Sequence, residues 1–183
     1  MNRRDFITSV FSFCCSFGLS KLAESADSIL VTDYNLSFQG LTNRSETRGI
    51  VIHHSGIDSD ASSYQIHQSH LSRGWSGIGY HYLIRKDGSI ETGRPIHTEG
   101  AHCEGYNDCT IGICLSGNFS YCLPSEHQMI SAERIVAYLC SLYGLPLDRQ
   151  YVLAHRQLSS TSCPGDSLYY CLDDFVHGAQ SYL

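Results

Sequence analysis

Gly49-Ile50-Val51-Ile52-His53-His54-Ser55 is a run of β-branched aliphatic residues that ends in two histidines. Three such residues in a row behind a glycine read as a buried central strand. Side chains alternate between the two faces of a strand, so His53 and His54 cannot enter one pocket together, and only one of them can serve as a ligand. Far downstream stands Leu153-Ala154-His155-Arg156-Gln157-Leu158-Ser159-Ser160-Thr161-Ser162-Cys163-Pro164-Gly165. Here Tyr151 to Ala154 reads as a short strand that delivers His155 at its end, and Pro164-Gly165 is a turn able to fold Cys163 back toward it. Two imidazoles and one thiolate are a donor set that suits zinc with one coordination position left for water. Spacing alone leaves two alternatives open. Cys163 and His155 could form a nucleophile-base dyad, or Cys163 could lie in a disulfide with His155 a satisfied core residue.

The chain between these stretches alternates helical and strand patterns. A helix is expected over 59–73, with Tyr64, His67 or Gln68, and Leu71 recurring at helical spacing and Gly74 as its stop. His67 and His70 are expected to be a polar, solvent-facing pair. Residues 79–85 and 89–95 read as a hairpin turning at Asp87-Gly88, and 110–116 as another core strand. Ser125 and Gln128 form a capping box ahead of a stripe of Met129, Ala132, Ile135 or Val136, Leu139 and Leu142, which Gly144 and Pro146 end. Residues 166–177 read as a closing helix. This order predicts an α/β domain over 46–183, a mixed central β-sheet flanked by helices with the candidate histidines at strand ends. Residues 26–45 show no periodicity and are expected to be an irregular leader on the domain edge.

The whole chain has 183 residues and a formal net charge of -6. With no Lys/Arg cluster beyond Asn2-Arg3-Arg4, it lacks the electrostatic footprint of a nucleic-acid-binding protein. The twin arginine, the mildly apolar and serine-diluted stretch from Phe6 to Leu22, and the small residues Ala23-Glu24-Ser25 predict a twin-arginine export signal over 1–25. The stretch is too short and hydroxyl-rich for a stable membrane span. A periplasmic or extracellular monomer is therefore expected. Among the cysteines, Cys103 and Cys109 bracket a tight loop and are the expected disulfide, while Cys114 and Cys140 sit in elements that read as core.

Nine motifs stand in one collinear order: Ile50-Val51-Ile52-His53-His54-Ser55, Gly77-Ile78-Gly79-Tyr80-His81-Tyr82-Leu83-Ile84, Asp87-Gly88, Gly93-Arg94-Pro95, Gly100-Ala101-His102, Gly105-Tyr106-Asn107, Ile111 to Phe119, Ala154-His155-Arg156 and Thr161-Ser162-Cys163-Pro164-Gly165. Together they resemble the type 2 N-acetylmuramoyl-L-alanine amidases, the zinc family shared by phage-type lysozyme-amidases and animal peptidoglycan recognition proteins. The resemblance implies Zn²⁺ held by His53, His155 and Cys163. It places Tyr80 on the family's catalytic tyrosine, and Thr161 where phage-type members carry a lysine and amidase-active recognition proteins can carry threonine. His102 matches a groove histidine and, with Tyr106 and Asn107, is implied to bind substrate. Trp75, Tyr82 and Tyr106 are each expected either in the groove or in the core. The implied reaction is hydrolysis of the lactyl-L-alanine amide of peptidoglycan. The competing expectation is a non-catalytic recognition module. Such modules commonly replace the cysteine with serine, so retention of His53, His155 and Cys163 together points toward catalysis.

Overall fold

The computed structural model describes residues 29–183. The expected export signal over 1–25 lies outside them. Six strands form one mixed sheet in the order β1-β4-β3-β5-β2-β6. They are β1 (Val31–Thr32), β2 (Gly49–His54), β3 (Tyr82–Ile84), β4 (Ile90–Thr92), β5 (Thr110–Leu115) and β6 (Val152–Ala154). The apolar run around Ile50-Val51-Ile52 becomes the centre of the sheet because β2 pairs in parallel with β5 on one side and β6 on the other. Every residue of β2 and of β5 is buried, as parallel strands covered on both faces require. The β3–β4 hairpin is antiparallel, and β3 pairs in parallel with β5. The leader is mostly irregular but adds a strand of its own, since β1 pairs in parallel with β4 at the sheet edge.

The two faces are covered by different helices. Ile50, Ile52, Ile111, Ile113 and Leu115 point into the larger core against α2 (Glu126–Tyr143) and α5 (Leu172–Ala179). Each of these side chains is almost fully buried, and burial of this kind contributes about 2–3 kcal/mol per residue. Leu83 and Cys114 point the other way, into a smaller core with Ile66 of α1 (Ser63–Ser72) and Ile78. The capping box at the start of α2 forms as its sequence dictates, Ser125 Oγ accepting from the Gln128 amide and Gln128 Oε1 accepting from the Ser125 amide. The Gln128 side-chain amide also donates to the Ile84 and Ser116 carbonyls, which ties the helix start to two strand ends.

Three expectations about elements change. Helix α1 is turned relative to the expected stripe: Tyr64 and Leu71 are exposed, whereas Ser63, Ile66, His67 and His70 face inward. His67 and His70 are thus not solvent-facing, because the loop beside them needs their ring nitrogens. The closing helix is two pieces, α4 (Asp166–Tyr170) and α5, meeting at Cys171, so that Leu172, Phe175, Val176 and Ala179 face the larger core. Cys103 and Cys109 are free thiols, not a disulfide. The loop between them is closed instead by Asn107 Oδ1, which accepts from the His102 and Cys103 amides at 2.8 and 2.9 Å.

Candidate active site

Alternation along β2 sends His53 and His54 to opposite faces, as the strand geometry demands. His54 turns toward the larger core, where its Nδ1 accepts the Phe119 amide at 3.2 Å. His53 pairs in register with Cys114 and points to the α1 face. There it meets His155, the first residue of α3 (His155–Leu158) directly after β6, and Cys163 on the following loop. The donor atoms of His53, His155 and Cys163 lie within 4.8 Å of one another. His53 Nδ1 stands 3.7 Å from Cys163 Sγ. Donors sharing one tetrahedral zinc stand roughly 3.3–3.8 Å apart, so this pair is already at ligand spacing.

The surroundings suit a cation. Burial first, then the neighbouring His102 and His155, hold His53 neutral far below the usual imidazole range, which leaves a lone pair to donate. Cys163 receives the His54 amide at Sγ over 3.4 Å, a contact that favours a thiolate. Without a cation, burial pushes this thiol up to about 12. No acid lies in the donor cluster, and two imidazoles with a thiolate fit zinc.

Beside this cluster, on the side of His155, opens a cleft of about 290 Å³, lined among others by Ser55, Ile57, Gln65, His70, Arg73, Trp75, Tyr80, His102 and His155. Tyr80 enters beside the metal-ligand candidates, its ring 5.1 Å from that of His53. Burial and the nearby Cys114 and Cys163 thiols raise its phenol well above the usual range, so it stays protonated and can donate. The loop that delivers Tyr80 is held by α1: His67 Nδ1 accepts the Ile78 amide and His70 Nδ1 accepts the Gly79 amide, both at 3.2 Å. Thr161 is exposed, and its Oγ1 accepts the Cys163 amide at 3.2 Å, which leaves its hydroxyl proton for another acceptor.

The remaining expected site residues divide. Trp75 lines the cleft with its ring tilted against that of His70, while Tyr82 packs against the larger core. Tyr106 and Asn107 are not among the cleft-lining residues; Tyr106 sits on the outer loop, and the Asn107 side-chain oxygen is taken up by the two backbone amides already named. His102 borders the cleft but is buried behind His53, with its Nδ1 3.0 Å from His53 Nε2. His81 and Cys114 were not anticipated as neighbours of the site. His81 is fully enclosed, its Nδ1 accepting the Gly112 amide and its Nε2–H donating to the Thr98 carbonyl. Its position directly after Tyr80, on the opposite side of an extended segment, was the available signal.

Residues 43–166 match the family described as N-acetylmuramoyl-L-alanine amidase, and the chain belongs to that family. The endolysin of Klebsiella phage KP32 is 34% identical over 133 residues, covering 69% of this chain and 86% of its own. Peptidoglycan-recognition protein LB of Drosophila melanogaster is 34% identical over 138 residues, 70% of this chain, and this chain matches 59% of its length. A point mutant of that fly protein, solved in complex with tracheal cytotoxin, superposes with a TM-score of 0.67 at 26% identity over 81% of this chain and 94% of that one. The amidase LysC from Clostridium intestinale superposes with a TM-score of 0.72 at 33% identity, covering 76% of this chain and 91% of its own.

Proposed function

We propose that this protein is a zinc-dependent N-acetylmuramoyl-L-alanine amidase that hydrolyses the amide between the lactyl group of N-acetylmuramic acid and L-alanine in peptidoglycan. The observation that carries the reading is the convergence of His53 from β2, His155 from the start of α3 and Cys163 from the loop after it, with His155 on the wall of the cleft. When bound by these three, Zn²⁺ supplies Lewis acidity toward the scissile carbonyl and the attacking water. The chain's own residues do the rest. Tyr80, held protonated, donates to the oxygen on which negative charge develops, and the free hydroxyl proton of Thr161 is the second donor to it. Trp75 and Ile57 offer apolar walls to the stem peptide, and Arg73 offers a positive charge to its carboxylates.

The tracheal cytotoxin complex of the fly relative supports a muropeptide as the ligand class. Among the described residues no helix is long and apolar enough to cross a membrane. The twin arginine at Arg3-Arg4 supports export to the wall that is the substrate, with the mature protein acting as a monomer.

The test is release of free stem peptides from purified sacculi by the mature protein, with and without chelator, beside Cys163→Ser. Release by the untreated protein should fall at least about a thousand-fold on either treatment. Release that survives both would exclude the zinc mechanism, and co-sedimentation with sacculi without release would leave a recognition module.

A further inference from the structure

His102 occupies a socket made for it. A Cβ on Gly112 would stand 2.5 Å from the His102 ring, and one on Gly100 would stand 2.3 Å from it, so both neighbours must be glycine for the imidazole to lie flat between them. Asn107 Oδ1 fixes the backbone of His102 by accepting its amide. The ring is enclosed, and its side-chain hydrogen bond is the 3.0 Å contact of Nδ1 with His53 Nε2; its own Nε2 is buried without a well-formed hydrogen bond among the described residues. A groove residue meant to grip substrate would present a polar atom to the cleft. His102 spends its Nδ1 on another histidine.

The direction of that bond follows from the far side of the His53 ring. His53 Nδ1 faces Cys163 Sγ, so a metal between them needs the lone pair there, and the single proton of a neutral His53 must then sit on Nε2. That proton has His102 Nδ1 in reach as its acceptor. Histidine ligands generally donate their second N–H to a carboxylate, carbonyl or water, and here a second neutral imidazole takes the place of that acceptor.

We propose that His102 is a positioning residue for the metal centre: by accepting the Nε2–H of His53 at Nδ1, it fixes the tautomer and the ring orientation that aim His53 Nδ1 at zinc. This rests on the zinc reading of the site. The role belongs to the acceptor at the Nδ1 position and not to an imidazole as such, so side chains with the acceptor in different places should behave differently. Asparagine carries an amide oxygen close to where Nδ1 lies, whereas glutamine carries its amide a methylene further on, near the position of Nε2.

The experiment is zinc affinity of the full chain, measured by competition with a chromophoric chelator, for the wild type, His102→Asn and His102→Gln, with thermal melts of each in excess chelator. His102→Asn should bind zinc within a few-fold of wild type, and His102→Gln should bind about 10- to 100-fold more weakly while melting as cooperatively as the Asn variant without metal. Unchanged affinity in His102→Gln would overturn the proposal. So would equal weakening in both variants, or failure of His102→Asn to fold, since either would show that the imidazole is there for packing. Failure of the wild type itself to bind zinc is a separate outcome, which would sink the amidase reading first.

Discussion

The two histidine pairs of this protein sit on different elements and do different work. His53 and His54 are neighbours on a strand, so one faces Cys163 and His155 on the α1 side of the sheet and the other faces the larger core. His67 and His70 are a helical turn apart on α1, so both face the same way, and both accept backbone amides from the segment that carries Tyr80. The strand pair splits into a candidate ligand and a structural acceptor. The helix pair remains a unit and acts on Tyr80 through the backbone. Residue type is the same in all four cases; the periodicity of the element decides which atoms meet.

The sharpest way to break this contrast is to treat the strand pair as equivalent. His53→Ala should abolish stoichiometric zinc and lower stem-peptide release about a thousand-fold or more, whereas His54→Leu should keep zinc and lose about 1–3 kcal/mol of stability through the unpaired Phe119 amide. Metal analysis and urea unfolding of the two proteins read this directly, and zinc loss from both would refute the split.

A smaller effect should come from the helix pair. His70→Leu removes the acceptor of the Gly79 amide next to Tyr80, so kcat should fall roughly ten- to a hundred-fold while zinc content is unchanged. A drop in zinc content would mean that α1 reaches the metal end after all.

The smallest effect is on the pH dependence of folding. Burial, followed by the charge of Arg73, lowers His70 to about 4 from the ordinary 6.5. Between these values the unfolded chain binds a proton that the folded one refuses, so the stability contribution is intact above pH 6.5 and is lost as pH falls toward 4. In chelator, His70→Leu should therefore lose stability less steeply than wild type from about pH 6.5 to about pH 5, by up to about 1.4 kcal/mol per pH unit. Equal slopes in urea titrations would show that His70 titrates normally.

Much of the architecture was legible because β2, β5 and α2 carry strong patterns: unbroken β-branched runs for covered strands, and a capping box before an apolar stripe. The choice of one histidine from His53 and His54 needed only the period of a strand. Other features were hidden for physical reasons. The inward face of α1 is polar by composition, with Ser63, His67 and His70 buried alongside Ile66, so a stripe of hydrophobicity could not find it. β1 is two residues long and is held by pairing with β4 over a large sequence separation, which leaves no local pattern. The loop from Cys103 to Cys109 invited a disulfide, yet one asparagine side chain closes it. Asn107 and His102 were expected as substrate contacts because their motifs match the family's groove; the three-dimensional placement shows in addition that Asn107 braces His102 and that His102 meets His53.

His53 and Cys163 lie 110 positions apart in the chain, at opposite ends of most of the fold. A cation shared between them is therefore a removable staple across a loop nearly as long as the domain, and its grip depends on parallel pairing of β2 with both β5 and β6. Such pairing is non-local and costly in loop-closure entropy, and the donor atoms meet only where it has formed. If zinc binds as proposed, it should accordingly slow the escape from the native state far more than it hastens arrival there, and persistence of the fold would follow how tightly the three donors hold the ion.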